Sequence, residues 1–388
     1  MFNPTCLTLA RKRRGMKKKD LAELVEISER SISAYEKGDQ QPESQSLTKI
    51  ASALGFPESF FLDADPEELT PDIASFRSMT KMSARQRDVA LGAGSIALML
   101  NEWIESKFNL PSHDLPDLGR EPIRLTRLAQ SSTLQEGIPF PTPTSANEPE
   151  AAAEALRSQW GLGELPAKNM IALLESKGIR VYSLAIDAKE VDAFSMWYGG
   201  KPFIFLNTYK SAEHCRFDAA HELGHLVLHR HGQSHGPELE REANAFASAF
   251  LMPRKSVLSN APRAATLPAL VRHKKFWNVS VAALNYRMHS LGMTSDWTYR
   301  TLCIQLGEKG YRKEEPDGSP HEKSVILEKV FSALREDGIS KQTVASELHI
   351  STEEINALTF GLMLNVLRGG KSMDAQSSPK IQTLSIVK

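Results

Sequence analysis

Apolar residues recur at three-to-four spacing through most of the chain, the period of helices buried on one face; they follow a strand pattern around residues 180–206. The amino-terminal part reads as four short helices, 7–14, 18–25, 29–36 and 46–54. Gly15 stops the first, Glu26-Ile27-Ser28 turns the chain, and Ser28 caps the third. A longer helix is expected over 83–108, where Val89, Ala90, Ile96, Leu98, Met99, Trp103 and Ile104 make a broad apolar stripe. It serves for packing or dimerisation. Helices over 148–159 and 168–177 precede a strand at 180–185. Residues 194–198 and 201–206, joined by Gly199-Gly200, form a hairpin with Pro202 at an edge or a strand start.

Helical spacing resumes from 218 to 250 and over 279–291. A second helical set follows at 326–334, 341–348 and 352–362, in which Ile339-Ser340 and Ile350-Ser351 echo the rhythm of the first domain. We read this set as a degenerate cap that binds a partner or dimerises. Proline breaks the pattern at 63–72, repeatedly between 110 and 147, and at 316–320; the tail from Gly369 is polar. The expectation is a mainly α protein with a small β-sheet (α+β). Its parts are a helical bundle at 1–63, a linker with one helix at 64–147, an α+β domain at 148–256, a helical or winged extension at 257–315 and a C-terminal helical domain at 316–388.

Composition changes this picture little. The net charge is zero, so affinity for nucleic acid must come from a local basic patch. Three cysteines, Cys6, Cys215 and Cys303, are widely spaced and odd in number, which points to a reducing cytoplasm without a disulfide framework. No signal peptide and no membrane-spanning apolar run is evident, so a soluble protein with no membrane partner is expected.

The chemistry concentrates in 218–229. His221 and His225 stand four apart and share one helix face, so two imidazoles can hold one cation. Glu222 falls beside them as a base for activating water. Gly224 costs helix propensity and predicts close approach of another backbone, such as a substrate-binding strand. Three sources for a third ligand arise. His229 lies a full turn beyond His225 and suits a supporting role. His231 sits at the metzincin spacing, but Leu228 stands where those enzymes need glycine. The third is a carboxylate from the helix over 238–250: Glu240 with Asn244 in support, Glu242 being the fallback.

His221-Glu-Leu-Gly-His225, followed by Glu240-Arg-Glu-Ala-Asn244 and ending in Leu-Met-Pro253, resembles the ImmA/IrrE zinc metallopeptidases. The resemblance covers roughly 150–255. It implies one zinc per chain on His221, His225 and Glu240, with Glu222 catalytic. It also implies a protein substrate, often a repressor that controls stress, phage or mobile-element genes. Residues 5–62 are similar to Xre/Cro helix-turn-helix domains through Leu21-Ala22, Ile27-Ser28, Ile32-Ser33, Tyr35-Glu36-Lys37-Gly38 and Leu54-Gly55. That resemblance implies a DNA operator read by Glu29, Arg30, Ser31 and Ala34, phosphate contacts from Lys17, Lys18 and Lys37, and a homodimer spanning two half-sites. A non-cleaving repressor or antitoxin, with the metal domain as sensor, is the competing reading.

The strand at 193–197 is the candidate for pairing with extended substrate. His229 and Tyr286 are the candidates for a proton donor.

Overall fold

The computed structural model describes residues 1–70, 75–76, 82–116, 148–184, 191, 193–229, 236–361 and 385–386. Of the features read from the sequence, the proline-rich stretch over 117–147, residues 71–74 and 77–81 of the linker, the polar tail apart from 385–386, and His231 lie outside these.

Four helices open the chain: α1 (Pro4–Arg13), α2 (Lys18–Val25), α3 (Glu29–Lys37) and α4 (Ser44–Leu54). Their ends follow local chemistry. Asn3 accepts from the Thr5 amide, Ser28 accepts from the Ser31 amide, and Gly38 and Gly55 close α3 and α4 in the left-handed conformation. Cys6, Leu7, Leu21, Ile32, Ile50 and Leu54 meet in the centre, each fully buried.

A two-residue strand β1 (Ser75–Phe76) precedes the long helix α5 (Ala84–Lys107). Ser83 and Gln86 start α5 with a reciprocal capping box. Of the two roles expected for α5, packing is the one observed: its middle is buried from Ala90 to Leu98. Added Cβ atoms would stand 3.1 Å from Arg13 Cα at Gly92 and 3.2 Å from Phe194 Cζ at Gly94, so these glycines bring α5 close to both α1 and the sheet.

After the short β2 (Phe108–Asn109) come α6 (Glu148–Gln159), α7 (Met170–Ser176), β3 (Arg180–Ser183) and the hairpin β4 (Ala193–Tyr198) with β5 (Lys201–Leu206). The sheet order is β1-β4-β5-β3, antiparallel except for the parallel β5–β3 pair. Pro202 sits near the start of β5 opposite Trp197, where a missing N–H does least harm.

Next in sequence are α8 (Ala212–Leu228), α9 (Pro237–Leu251), α10 (Arg254–Asn260), α11 (Leu267–Trp277), α12 (Val281–Ser290) and α13 (Asp296–Glu308). The last three helices are α14 (Val325–Glu336), α15 (Lys341–Glu347) and α16 (Thr352–Leu358), and β6 (Ser385–Ile386) pairs with β2. No helix among the described residues is long and apolar enough to cross a membrane.

The period of two along the strands divides the interior. Phe194, Met196, Phe203, Phe205 and Tyr182 join one hydrophobic core with α1–α5 and α14–α16. Ala193, Ile204, Leu206 and Val181, on the opposite face, join a second core with α6–α12 and α13's Leu302 and Leu306.

Candidate metal centre and nucleic-acid interface

Helix α8 lies across the second face of the sheet, and its His-Glu-x-x-His turn is deeply buried: His221 and Glu222 are fully enclosed and His225 is nearly so. Gly224 is what allows α9 to cross it. A Cβ there would meet Phe246 Cδ1 at 3.1 Å and Ala243 Cα at 3.3 Å. The sequence predicted a close backbone at Gly224, and the partner is helix α9; a substrate-binding strand is not what approaches it.

Because the helices cross so closely, Glu240 reaches both histidines. Its carboxylate oxygens lie 3.4 Å from His221 Nε2 and 3.3 Å from His225 Nε2, and those two nitrogens are 3.1 Å apart. The three groups can place ligand atoms within 4.8 Å of one another. Two imidazole nitrogens and one carboxylate oxygen are a donor set that suits zinc. Burial alone would push the Glu240 carboxyl up; hydrogen bonds from His221 and His225 and their charge outweigh it and bring it down to about 2.

The atoms behind the ligands are also held. His221 Nδ1 lies 3.2 Å from Asn244 Oδ1, whose amide nitrogen donates to the Glu240 carbonyl at 2.7 Å. His225 Nδ1 lies 2.9 Å from His229 Nδ1, and His229 Nε2 lies 2.9 Å from Glu242 Oε2. His229 is the residue that ends α8, which lets its ring turn back toward His225. Burial, outweighing the pull of Glu242, lowers the His229 pKa and favours the neutral ring. Glu242, the fallback ligand, therefore belongs to the support of His229. Spacing along α9 alone could not separate Glu240 from Glu242, since the crossing angle with α8 decides which one points inward.

Glu222 accepts a hydrogen bond from Ser195 Oγ at 2.6 Å. Ser195 escaped the sequence reading as an individual residue, although it lies within the expected substrate strand 193–197. The alternation of β4, with Phe194 and Met196 facing one way, was the signal that would have pointed Ser195 at α8. The outer edge of β4 is not bare: β1 pairs antiparallel with it, Ser75 opposite Ser195 and Phe76 opposite Phe194. Tyr286 is half exposed and lines a cavity of about 900 Å³ that Asn244 and Glu242 also border. Cys215 is buried with its thiol pushed up to about 12 by burial, which leaves it inert as a nucleophile.

In the amino-terminal bundle, Glu29 and Arg30 are exposed at the start of α3, Ser31 and Ala34 are half exposed, and Lys17 and Lys37 are exposed beside them. Lys18 departs from expectation, because its ammonium lies 3.1 Å from Glu36 Oε2 and is drawn inward. The cluster Arg11–Arg14 is likewise committed to protein: Arg11 to Glu36, Lys12 to Glu68, and Arg13 and Arg14 to Glu354.

A helix-turn-helix bundle with an open α3 face, joined to a domain built on crossed helices bearing His-Glu-x-x-His and a glutamate, defines a DNA-binding regulator with a metallopeptidase-like domain. The comparisons agree. Residues 7–61 match the helix-turn-helix family, and residues 174–289 match the IrrE N-terminal-like domain of a metallopeptidase family, so the chain carries a Xre-type reader fused to an ImmA/IrrE-like domain. No curated protein matches the sequence.

Proposed function

We propose that the chain is a cytoplasmic transcriptional regulator whose peptidase domain is a zinc endopeptidase, holding one zinc through His221, His225 and Glu240. The observation that carries this reading is the meeting of those three side chains with Glu222 alongside. Zinc would act as a Lewis acid toward a peptide carbonyl. Glu222 takes the proton from the attacking water and passes it to the leaving amine. Ser195 fixes the carboxylate of Glu222, Asn244 orients His221, and the His229–Glu242 pair orients His225. Of the two candidates for stabilising the oxyanion, Tyr286 remains, because both ring nitrogens of His229 are engaged by His225 and Glu242.

The reader binds an operator as a homodimer, with Glu29, Arg30, Ser31 and Ala34 at base edges and Lys17 and Lys37 at phosphates. Lys18 contributes there only if it leaves Glu36. The substrate is a protein, either a repressor or toxin partner or the chain itself. The pairing of β1 with β4 opposite Ser195 supports the last, since it lays the chain's own connecting segment along the edge where an extended peptide would bind. The same occupied edge and the enclosed histidines are also what a non-cleaving repressor or antitoxin with a metal-dependent sensor would show.

Elemental analysis and time-resolved intact mass separate these readings. Purified protein should carry close to one zinc per chain, retained in Glu222→Gln and lost in Glu240→Ala. On adding zinc and duplex DNA, wild type should yield a fragment that Glu222→Gln does not. Absence of zinc would sink the metal assignment. Zinc with no cut, either of the chain or of an added repressor, would select the sensor.

A further inference from the structure

The three helices α14, α15 and α16 repeat the geometry of α1, α2 and α3 at a constant offset of 323 residues, Gly15 corresponding to Gly338. Both glycines are left-handed, with φ of 61° and 75°. The second helix is followed in each case by a non-glycine residue with the same left-handed φ of 56°, Glu26 and His349, then by Ile27-Ser28 and Ile350-Ser351. Ser28 and Ser351 both cap the next helix by accepting from the amide three residues on. The buried positions correspond as well: Leu21 with Val344, Ala22 with Ala345, Val25 with Leu348, Ile32 with Ile355 and Tyr35 with Leu358. A left-handed residue without glycine is costly outside a specific turn, so its recurrence at one offset marks the same turn built twice.

What differs is the face that would meet DNA. Arg30 and Ser31 of the first unit become Glu353 and Glu354, and Lys37 becomes Phe360. Carboxylates at these positions repel phosphate. Nor is the face open. Glu354 is 3% exposed and receives Arg13 Nε at 2.9 Å together with the guanidinium of Arg14, both from the end of α1. On the adjoining side, Asn356, Ala357 and Phe360 look across a cavity of about 470 Å³ at Ser183, Thr208 and Tyr209, at the end of the peptidase sheet. The junction is locked from both directions: Glu175 of α7 accepts from the Val325 and Ile326 amides at the start of α14, and Glu322 accepts from the Met170 and Ile171 amides at the start of α7.

We propose that residues 325–361 are a second helix-turn-helix unit that takes protein in place of DNA. Its readout helix clasps α1 of the DNA reader through Glu354 and lies against the peptidase sheet, so that it fastens the two working parts of the chain together. The charge reversal and the buried docking are one design: an acidic readout helix fits the arginines of a basic reader, and those arginines are thereby withheld from DNA.

Amide hydrogen exchange on the full chain, with and without a mixed-sequence duplex of about 30 base pairs at low salt, tests this. DNA should slow exchange over 17–37 and leave 340–361 unchanged. Glu354→Ala should speed exchange about tenfold or more in both 4–14 and 325–361, and Arg14→Ala, a change at a less buried partner, should do the same more weakly. Protection of 351–361 by DNA would overturn the proposal, as would a Glu354→Ala protein in which 4–14 exchanges at the wild-type rate. The DNA arm rests on the first unit being a DNA reader. If DNA protects neither unit, that reading fails, and the exchange response to Glu354→Ala and Arg14→Ala still decides the docking.

Discussion

The two faces of β4 belong to different halves of the molecule. Phe194 and Met196 point into the core shared by the DNA reader, α5 and the C-terminal helices, while Ala193 and Ser195 point at helix α8. Adjacent residues on one strand cannot move independently, so the sheet is a common wall for both parts. The difference between the faces is chemical: one is aromatic and serves stability, whereas the other presents a hydroxyl to Glu222 and serves the site. A displacement at the reader's core would therefore be passed through β4 to helix α8.

The strongest way to break the comparison is to empty the aromatic face. Phe194 is fully buried and stacks on Phe205 with centroids 4.4 Å apart. Phe194→Ala should cost about 3–5 kcal/mol through lost burial and the cavity left behind. If the wall is truly shared, calorimetry will show one unfolding transition moved to lower temperature, with loss of DNA binding and of bound metal together. Two separated transitions, with the metal domain melting as in wild type, would show that the faces are independent.

How much of this was legible depended on how local each feature is. The cap at Ser28, the Gly199-Gly200 hairpin and the His221–His225 face are decided within a few residues, and each could be read from the sequence. The exposure of Glu29 and Arg30 at the start of α3 was legible for the same reason. The roles of Glu240 and Glu242 depend on where α9 crosses α8, and the fate of Arg13 and Arg14 depends on Glu354, more than three hundred residues away. Lys18 reads as a phosphate contact until α3 brings Glu36 within 3.1 Å of it. The echo at Ile339 and Ile350 was visible, but its inward orientation is a property of packing that periodicity does not carry.

A smaller effect sharpens the comparison where the two cores meet a second time. Glu175 comes from the peptidase side and caps α14, which belongs to the reader's core. Burial pushes its carboxyl up to about 7, against the hydrogen bonds from Ser324, Val325 and Ile326. A carboxyl that binds its proton more tightly when folded stabilises fully below the ordinary carboxylate range, and that contribution disappears as pH rises through about 7. The whole span is worth on the order of 3 kcal/mol. Melting temperatures should therefore fall between pH 5 and pH 8 in wild type by more than in Glu175→Gln, which has no proton to lose. Equal slopes in the two proteins would remove Glu175 from the coupling.

The smallest effect lies on the other face of the same strand, at Ser195. Its hydroxyl donates to Glu222 at 2.6 Å in a buried setting, a charge-assisted bond worth about 1–3 kcal/mol that positions the carboxylate without touching the metal ligands. Ser195→Ala should leave zinc content and DNA affinity unchanged, because neither His221, His225 and Glu240 nor the α3 face depends on it. Self-cleavage, or turnover of an unfolded protein such as casein, should slow about tenfold in kcat with little change in KM, as expected when a base is left loosely held. Ser195→Thr, which keeps the hydroxyl, should recover part of the rate. A Ser195→Ala protein with full turnover would show that Glu222 is oriented from elsewhere on α8, and the polar face of β4 would then be a packing surface like its aromatic neighbour.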